Sequence, residues 1–448
     1  MPLIDYLLAR GATVSARDKK TRKELGETAD SLEKKGVKLI LGDGYLDGIT
    51  EDVIFRSPGI RPDLPEIAAA REHGALLSSE MELFFELTKA KTIGITGSDG
   101  KTTTTTLVYK LLSEQFERDG AGRRVYVGGN IGTPLLPLVD EMSEDDVAVV
   151  ELSSFQLLTM TRSPERAVIT NITPNHLNWH NDMEEYTEAK KNICTGAGNV
   201  YLTLNAENDR TVEIAKRAKR AVTVFSSKRS AKELSREFDL PMIVDQDGYV
   251  CFCSENECTR ILRTENIKLP GRHNVENYMA AISATRGMVT PEVIEHVART
   301  FGGVEHRLEF VREYGGVKYY NSSIDSSPTR TAAALSSFDG KVIVICGGYD
   351  KKIPFEPLAD TLISRAKAVI LTGATAKKIK EAIKSNERFA ASGLKMIEKP
   401  DFADAVRAAR SEASPGDNVI LSPACASFDA FKNFEERGKR FKDVVNSF

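Results

Sequence analysis

The sequence predicts an α/β fold built from three successive blocks, and three observations predict it. Short apolar runs ending at glycine or at a polar turn alternate with helical stretches throughout the 448 residues. One run, Lys91-Thr92-Ile93-Gly94-Ile95, leads directly into the glycine- and hydroxyl-rich Thr96-Gly97-Ser98-Asp99-Gly100-Lys101-Thr102-Thr103. Toward the end, Lys341–Gly348, Ala368–Gly373 and Asn418–Ser422 each read as a buried strand leaving into a turn. The blocks run over residues 1–90, 91–303 and 304–448.

In the first block the expected strands are Thr13–Ala16, Lys38–Leu41 and Asp52–Phe55. The opening Pro2–Arg10 reads as a helix. The loop Ser57-Pro58-Gly59-Ile60-Arg61-Pro62 follows the third strand, at the carboxyl end where such sheets bind ligands.

The second block carries most of the chemistry. Strand, glycine turn, lysine, hydroxyl and helix is the order that grips nucleotide phosphates. Glycine lets backbone N–H groups face phosphate oxygens, Lys101 brings a mobile positive charge, and Thr102 brings a hydroxyl for Mg²⁺. Ile95 stands where the general phosphate-loop pattern has glycine, so this segment alone also reads as a simple turn. Glu151, just past the expected strand Asp146–Val150, is placed either to hold Mg²⁺ or to start a helix. His176 lies in the polar loop that follows the expected strand Ala167–Thr170. Lys190, on a helix expected over Asp182–Cys194, reads by itself as part of a solvated face. Asn274 and Asn277 share one face of a helix opened by Gly271-Arg272-His273, suited to a purine edge or to capping. Arg307 follows Glu305-His306 at the entrance to the third block, within reach of a phosphate or of solvent.

Composition narrows the functional classes. Lys and Arg total 61 against 64 Asp and Glu, a net charge of -3 that gives no support for a nucleic-acid or membrane-surface binder. No apolar run reaches the length of a spanning helix, and Met1–Arg10 carries Asp5 with no basic leader, unlike a signal peptide. Six cysteines, sparsely spread, suit a reducing cytoplasm. Cys251, Cys253 and Cys258 lack a C-x-x-C pair and a nearby histidine, so they read as a hairpin with incidental thiols rather than a metal site.

Taken in order, Thr96–Thr103, Gly129-Asn130-Ile131-Gly132, Glu151–Leu157, Asn171–His176, Gly271–Asn274 and Glu305-His306-Arg307 resemble the Mur ligase family, the ATP-dependent amino-acid ligases of peptidoglycan synthesis. That family's phosphate loop also lacks the early glycine. In the third block, Tyr320–Thr329 and Ser422–Phe434 resemble the branch that adds D-glutamate to UDP-N-acetylmuramoyl-L-alanine.

The resemblance implies a truncated Rossmann-like N-terminal domain for the UDP-sugar (1–90), a central P-loop ATPase-type domain (91–303) and a C-terminal Rossmann-like domain for the amino acid (304–448). It places ATP on Gly97, Ser98, Asp99, Gly100, Lys101, Thr102, Thr103, Asn274, Asn277, Arg307 and Asp325. It places Mg²⁺ on Thr102, Glu151, His176 and Lys190, and a carbamate on Lys190. The sugar nucleotide falls to Asp18, Gly59 and Asn130, and D-glutamate to Lys351, Ser427 and Phe434. Lys101, Lys190 and His176 are the implied catalytic residues. An acyl phosphate is the implied intermediate, shielded from water by closure about Gly302-Gly303.

Family members start with an apolar strand and a glycine-rich loop ahead of the first helix, so the first block is expected to lack its first strand. Asn175, Asn178 and Ser322 stand where relatives often carry aspartate. The expectation is a monomeric cytoplasmic enzyme acting on small molecules. Two other readings stay open here: another ligase of the superfamily, such as a folate-polyglutamating one, and a non-catalytic nucleotide-binding protein.

Overall fold

In the first block, the edge-to-edge pairing of strands is short. The computed structural model of the chain describes all residues except 178, 255, 256 and 352. β1 (Ser15–Asp18) pairs in parallel with β2 (Lys38–Leu41), and β3 (Val53–Phe55) pairs in parallel with β4 (Leu76–Ser78), as two separate sheets. The first strand begins two residues later than the sequence suggests; Val14 precedes it, buried with Leu32 and Val37, and its carbonyl accepts from Lys38 N at 3.1 Å.

The central sheet has nine strands. They are β5 (Lys91–Thr96), β6 (Val125–Gly129), β7 (Val147–Glu151), β8 (Arg166–Ile169), β9 (Tyr201–Asn205), β10 (Ala221–Ser226), β11 (Met242–Gln246), β12 (Tyr249–Ser254) and β13 (Glu257–Arg263). Their order across the sheet is β13-β12-β11-β10-β9-β8-β5-β7-β6. Strands β5 to β11 pair in parallel, while β12 and β13 form an antiparallel hairpin at one edge. All five residues of β7 are buried, as the unbroken Val-Ala-Val-Val run requires of a parallel strand covered on both faces. The core on this sheet also takes in Tyr6, Met81 and Phe84, which joins the helices of the first block to it.

On the edge hairpin, Cys253 and Cys258 stand directly opposite each other and are disulfide-bonded. This corrects the reading of those thiols as incidental. A spacing of five shows no pairing until the hairpin register brings the two Cα atoms to 4.1 Å.

A second sheet of six strands holds β14 (Glu309–Tyr314), β15 (Val317–Asn321), β16 (Val342–Cys346), β17 (Ala366–Leu371), β18 (Lys395–Glu398) and β19 (Asn418–Leu421), in the order β14-β15-β19-β16-β17-β18. Only β14 runs antiparallel. The chain divides into two compact units, Met1–Thr264 with Glu276–Glu295, and Glu265–Val275 with His296–Phe448.

Candidate active site

Ile95 explains the shortened phosphate loop. It is fully buried inside β5, paired with Glu151 and Val168, so the turn begins only at Gly97. The loop is pinned to the exit of β8. Ser98 N donates to Asn171 O at 2.9 Å, Asp99 N donates to Asn171 Oδ1 at 3.0 Å, and Thr170 Oγ1 donates to Asp99 O at 2.6 Å. Gly97 has φ 153°, and a Cβ there would overlap the Thr170 hydroxyl. Gly100 has φ 79° and caps the helix Lys101–Asp119. A Cβ on it would meet Asn277 Oδ1 at 2.5 Å.

The loop therefore lies at the positive end of a 19-residue helix, where backbone N–H groups and the helix dipole favour an anion. Lys101 Nζ donates to Gly97 O at 2.9 Å and to Ser98 O at 3.1 Å. Thr102 is buried at the start of the helix, with Thr103 beside it partly buried. Thr104 Oγ1 donates to Asn277 Oδ1 at 3.2 Å.

Glu151 is the last residue of β7 rather than the residue after it, and is 1% exposed. Its Oε1 accepts from Asn130 Nδ2 at 2.8 Å, while its buried Oε2 has no hydrogen-bond partner among the described residues. A buried carboxylate oxygen without a donor is costly unless a cation completes it.

Lys190 projects from the helix Met183–Thr195 and is also 1% exposed. Its Nζ donates to Gly97 O at 2.7 Å and lies 4.7 Å from the centre of the Tyr186 ring. Burial first, and then the charge of Lys101, hold this amine well below the usual lysine range, against the pull of Asp99 and Glu151. Lys101, Asp99, Glu151 and Lys190 thus share one electrostatic neighbourhood. The reading of Lys190 as a solvated face is corrected: the helix turns it inward.

His176 is exposed in a left-handed backbone conformation (φ 55°), with its ring 4.9 Å from that of Phe155. Sequence reasoning passed over the buried His180 four residues on. Its Nε2 lies 2.9 Å from Ser154 Oγ and its Nδ1 lies 3.1 Å from Glu185 Oε2, and burial lowers its pKa. The i, i+4 histidine spacing was the available signal. Among the described residues no group of three His, Cys, Asp or Glu side chains forms a metal centre. The expected set contains only two such side chains, Glu151 and His176, beside a hydroxyl and a lysine.

Asp18 ends β1, and its Oδ1 accepts from Lys20 N at 2.8 Å. Gly59 is exposed, and its carbonyl accepts from Trp179 Nε1 at 3.2 Å. Asn178 lies outside the described residues. Asn175 Oδ1 accepts from His176 N at 2.9 Å.

In the second unit, Asn274 Nδ2 donates to Pro270 O at 2.7 Å, whereas Asn277, on the same helix Arg272–Ala284, belongs to the first unit. Arg307 N donates to Val304 O at 2.9 Å. Asp325 is buried, and its Oδ2 accepts from Ser422 Oγ at 2.8 Å. Burial pushes its carboxyl up to about 6, against hydrogen bonds from Ser322 and Ser422. Ser322 Oγ also accepts from Leu308 N at 3.1 Å. Phe434 opens the helix Phe434–Asn446, and its carbonyl accepts from Ser323 Oγ at 2.8 Å. Ser427 is buried in the loop after β19, and Lys351 is exposed after β16. Arg437 ties these loops together, donating to the carbonyls of Ser323, Cys425 and Ala426.

A glycine loop at a helix start, a lysine beside it and a buried acid at the end of the neighbouring strand define a nucleotide-phosphate-binding α/β protein. Residues 95–285 match the model of the Mur ligase middle domain, and residues 306–425 match that of the Mur ligase glutamate ligase domain. The chain is 49% identical over 450 residues to the UDP-N-acetylmuramoylalanine--D-glutamate ligase of Acetivibrio thermocellus, spanning 100% of this chain and 94% of that protein. It is 47% identical over 451 residues to the ligase of the same name from Ruminiclostridium cellulolyticum, with the same coverage. The chain belongs to the Mur ligase family. Among solved structures it shares the fold of UDP-N-acetylmuramate-alanine ligase from Thermotoga maritima (TM-score 0.55, 18% identity, 100% of this chain and 96% of that one).

Proposed function

We propose that this chain is an ATP-dependent ligase that joins D-glutamate to the alanyl carboxyl of UDP-N-acetylmuramoyl-L-alanine, forming ADP and phosphate. The observation that carries the chemistry is the meeting of Lys101 and Lys190 on the Gly97 carbonyl, with Glu151, whose Oε2 has no hydrogen-bond partner among the described residues, in the electrostatic neighbourhood of Lys190. Likeness along the whole chain to ligases named for D-glutamate supports the choice of substrates.

The central difficulty is repulsion between a carboxylate and the γ-phosphate. Residues 97–103 supply backbone donors to the phosphates, and Lys101 supplies the neutralising charge. Thr102, Glu151 and His176 are the side chains that would hold Mg²⁺, which offsets the same repulsion when bound. The orphan Glu151 oxygen and the loop that a Cβ would fill both fit such ligands.

Burial lowers the pKa of Lys190 and so favours its neutral amine, the form that reacts with CO₂. The nitrogen bonds to carbon, a proton leaves to solvent, and a carbamate anion remains. The substrate carboxylate attacks the γ-phosphorus and ADP leaves, giving an acyl phosphate. The amine of D-glutamate attacks that carbonyl carbon, phosphate leaves, and the amine proton is released.

Asn274, Asn277, Arg307 and Asp325 are assigned to ATP, Asp18, Gly59 and Asn130 to the sugar nucleotide, and Lys351, Ser427 and Phe434 to D-glutamate. The functional blocks are 1–90, 91–303 and 304–448. The chain is read as a monomeric cytoplasmic enzyme; no helix among the described residues is long and apolar enough to cross a membrane.

Phosphate release with UDP-N-acetylmuramoyl-L-alanine tests the reading, with D-glutamate, L-glutamate and diaminopimelate compared as acceptors. Release that depends on D-glutamate is expected. Release indifferent to the acceptor, or preference for L-glutamate, would overturn it.

A further inference from the structure

Arg56 follows β3 directly and is 4% exposed, yet among the described residues no carboxylate lies within ion-pair distance of it. A buried guanidinium without a counter-charge is costly; the Arg56 Nε has no hydrogen-bond partner among the described residues, and the two terminal nitrogens carry all of its hydrogen bonds. Nearly all of its hydrogen bonds go to carbonyls. Nη1 donates to Ile60 O at 2.6 Å, to Pro58 O at 3.0 Å and more weakly to Ser57 O at 3.4 Å. Nη2 donates to Phe155 O at 2.7 Å and to Thr159 Oγ1 at 3.3 Å, at the short helix Ser154–Leu157 that follows Glu151. The planar fork of arginine spans both segments in a way that a single ammonium cannot.

The orientation of the peptides gives this clamp a consequence. Among the described residues no peptide bond is cis. In a trans peptide the C=O and N–H groups point to opposite sides. Drawing the Pro58 and Ile60 carbonyls in toward Arg56 therefore turns the Gly59 and Arg61 N–H groups away from it, toward the outer side of an exposed turn. Trp179 holds the remaining carbonyl, Gly59 O, from the other flank.

We propose that Arg56 is a positioning residue for sugar-nucleotide binding: it sets residues 57–61 so that the Gly59 and Arg61 N–H groups meet acceptor oxygens of the uridine diphosphate group. This rests on the assignment of Gly59 to the sugar nucleotide.

Trp179 is the only tryptophan in the chain, so its emission reports this loop in the free protein. Arg56→Ala and Arg56→Lys in the full chain are compared with wild type by Trp179 emission and quenching, by calorimetric titration with UDP and by steady-state kinetics. Arg56→Ala is expected to shift the emission to the red, to weaken UDP about tenfold, and to raise KM for the sugar nucleotide to match. The kcat and the KM for ATP should stay within twofold of wild type. Arg56→Lys should recover part of the loss, and it carries the test if Arg56→Ala does not fold cooperatively. Unchanged emission in the variants, or a fall in kcat with KM unchanged, would overturn the proposal. If wild type binds UDP and the variants bind it equally, the role of Arg56 alone falls. If wild type does not bind UDP, the assignment of the loop falls and takes the proposal with it.

Discussion

Lys190 Nζ and the carbonyl oxygen of Gly97 are joined by a 2.7 Å hydrogen bond between residues 93 apart in sequence. The contact fastens the helix Met183–Thr195 to the phosphate loop and places an amine, its pKa lowered by burial, beside a nearby lysine and two acids.

Lys190→Ala should therefore abolish most phosphate release, and short-chain carboxylic acids should restore part of it by supplying the missing anion. The amine is reactive only above its lowered pKa, so activation by CO₂ should fall as the pH drops through that value. Assays of the variant with and without added acids, and of wild type at controlled CO₂, check both outcomes.

Lys101→Ala should lower phosphate release by about a hundredfold or more, the scale of losing one donor aimed at developing charge. Because it donates to the Gly97 and Ser98 carbonyls of its own loop, folding should be little affected. Single-turnover kinetics with a thermal melt separate the two effects.

Glu151→Gln should raise the Mg²⁺ concentration needed for half-maximal activity at least tenfold. An amide is a poorer ligand than the carboxylate whose Oε2 now lacks a donor. Thermal stability without Mg²⁺ should not fall, since a buried charge is removed. Magnesium titration of phosphate release is the measurement.

Asp325→Asn should change the pH dependence of stability. Burial raises the folded pKa of Asp325 to about 6, above that of the unfolded chain. A raised carboxylate favours the protonated folded form, so its contribution is complete below about pH 4 and is lost as pH rises through about 6. The stability of the asparagine variant relative to wild type should grow by up to about 3 kcal/mol between pH 4 and pH 7. Denaturant unfolding at the two pH values checks the sign.

Gly97→Ala should remove ATP binding even where the protein still folds. Its backbone has φ 153°, and the added methyl would displace Thr170, whose hydroxyl holds Asp99 O. Calorimetric titration with a non-hydrolysable ATP analogue provides the test.

The phosphate loop was legible because its signal is local: strand, glycine, lysine and helix follow one another in the chain. The acid at the end of β7 was legible for the same reason, to within one residue. The inward turn of Lys190 was not. The helix Met183–Thr195 has polar residues on several faces, and only the packing of Tyr186 and Ile193 fixes which face is buried. The chain of Arg61, Glu185, His180 and Ser154 was equally hidden, since its links join residues up to 124 apart. The buried Arg56 gives no sign in composition either; its role exists only once the loop carbonyls converge on it.

The detour of the chain between the two units has a consequence for its synthesis. Asn277, which meets Thr104 behind the phosphate loop, is encoded after the polypeptide has already left for the second unit at Glu265. At ribosomal speeds of about 5–20 residues per second, the stretch from 265 to the end of that helix at 284 takes roughly one to four seconds to emerge. For that interval the nascent nine-stranded sheet lacks the helix carrying Asn277, and fragments that stop near Thr264 inherit the same defect permanently.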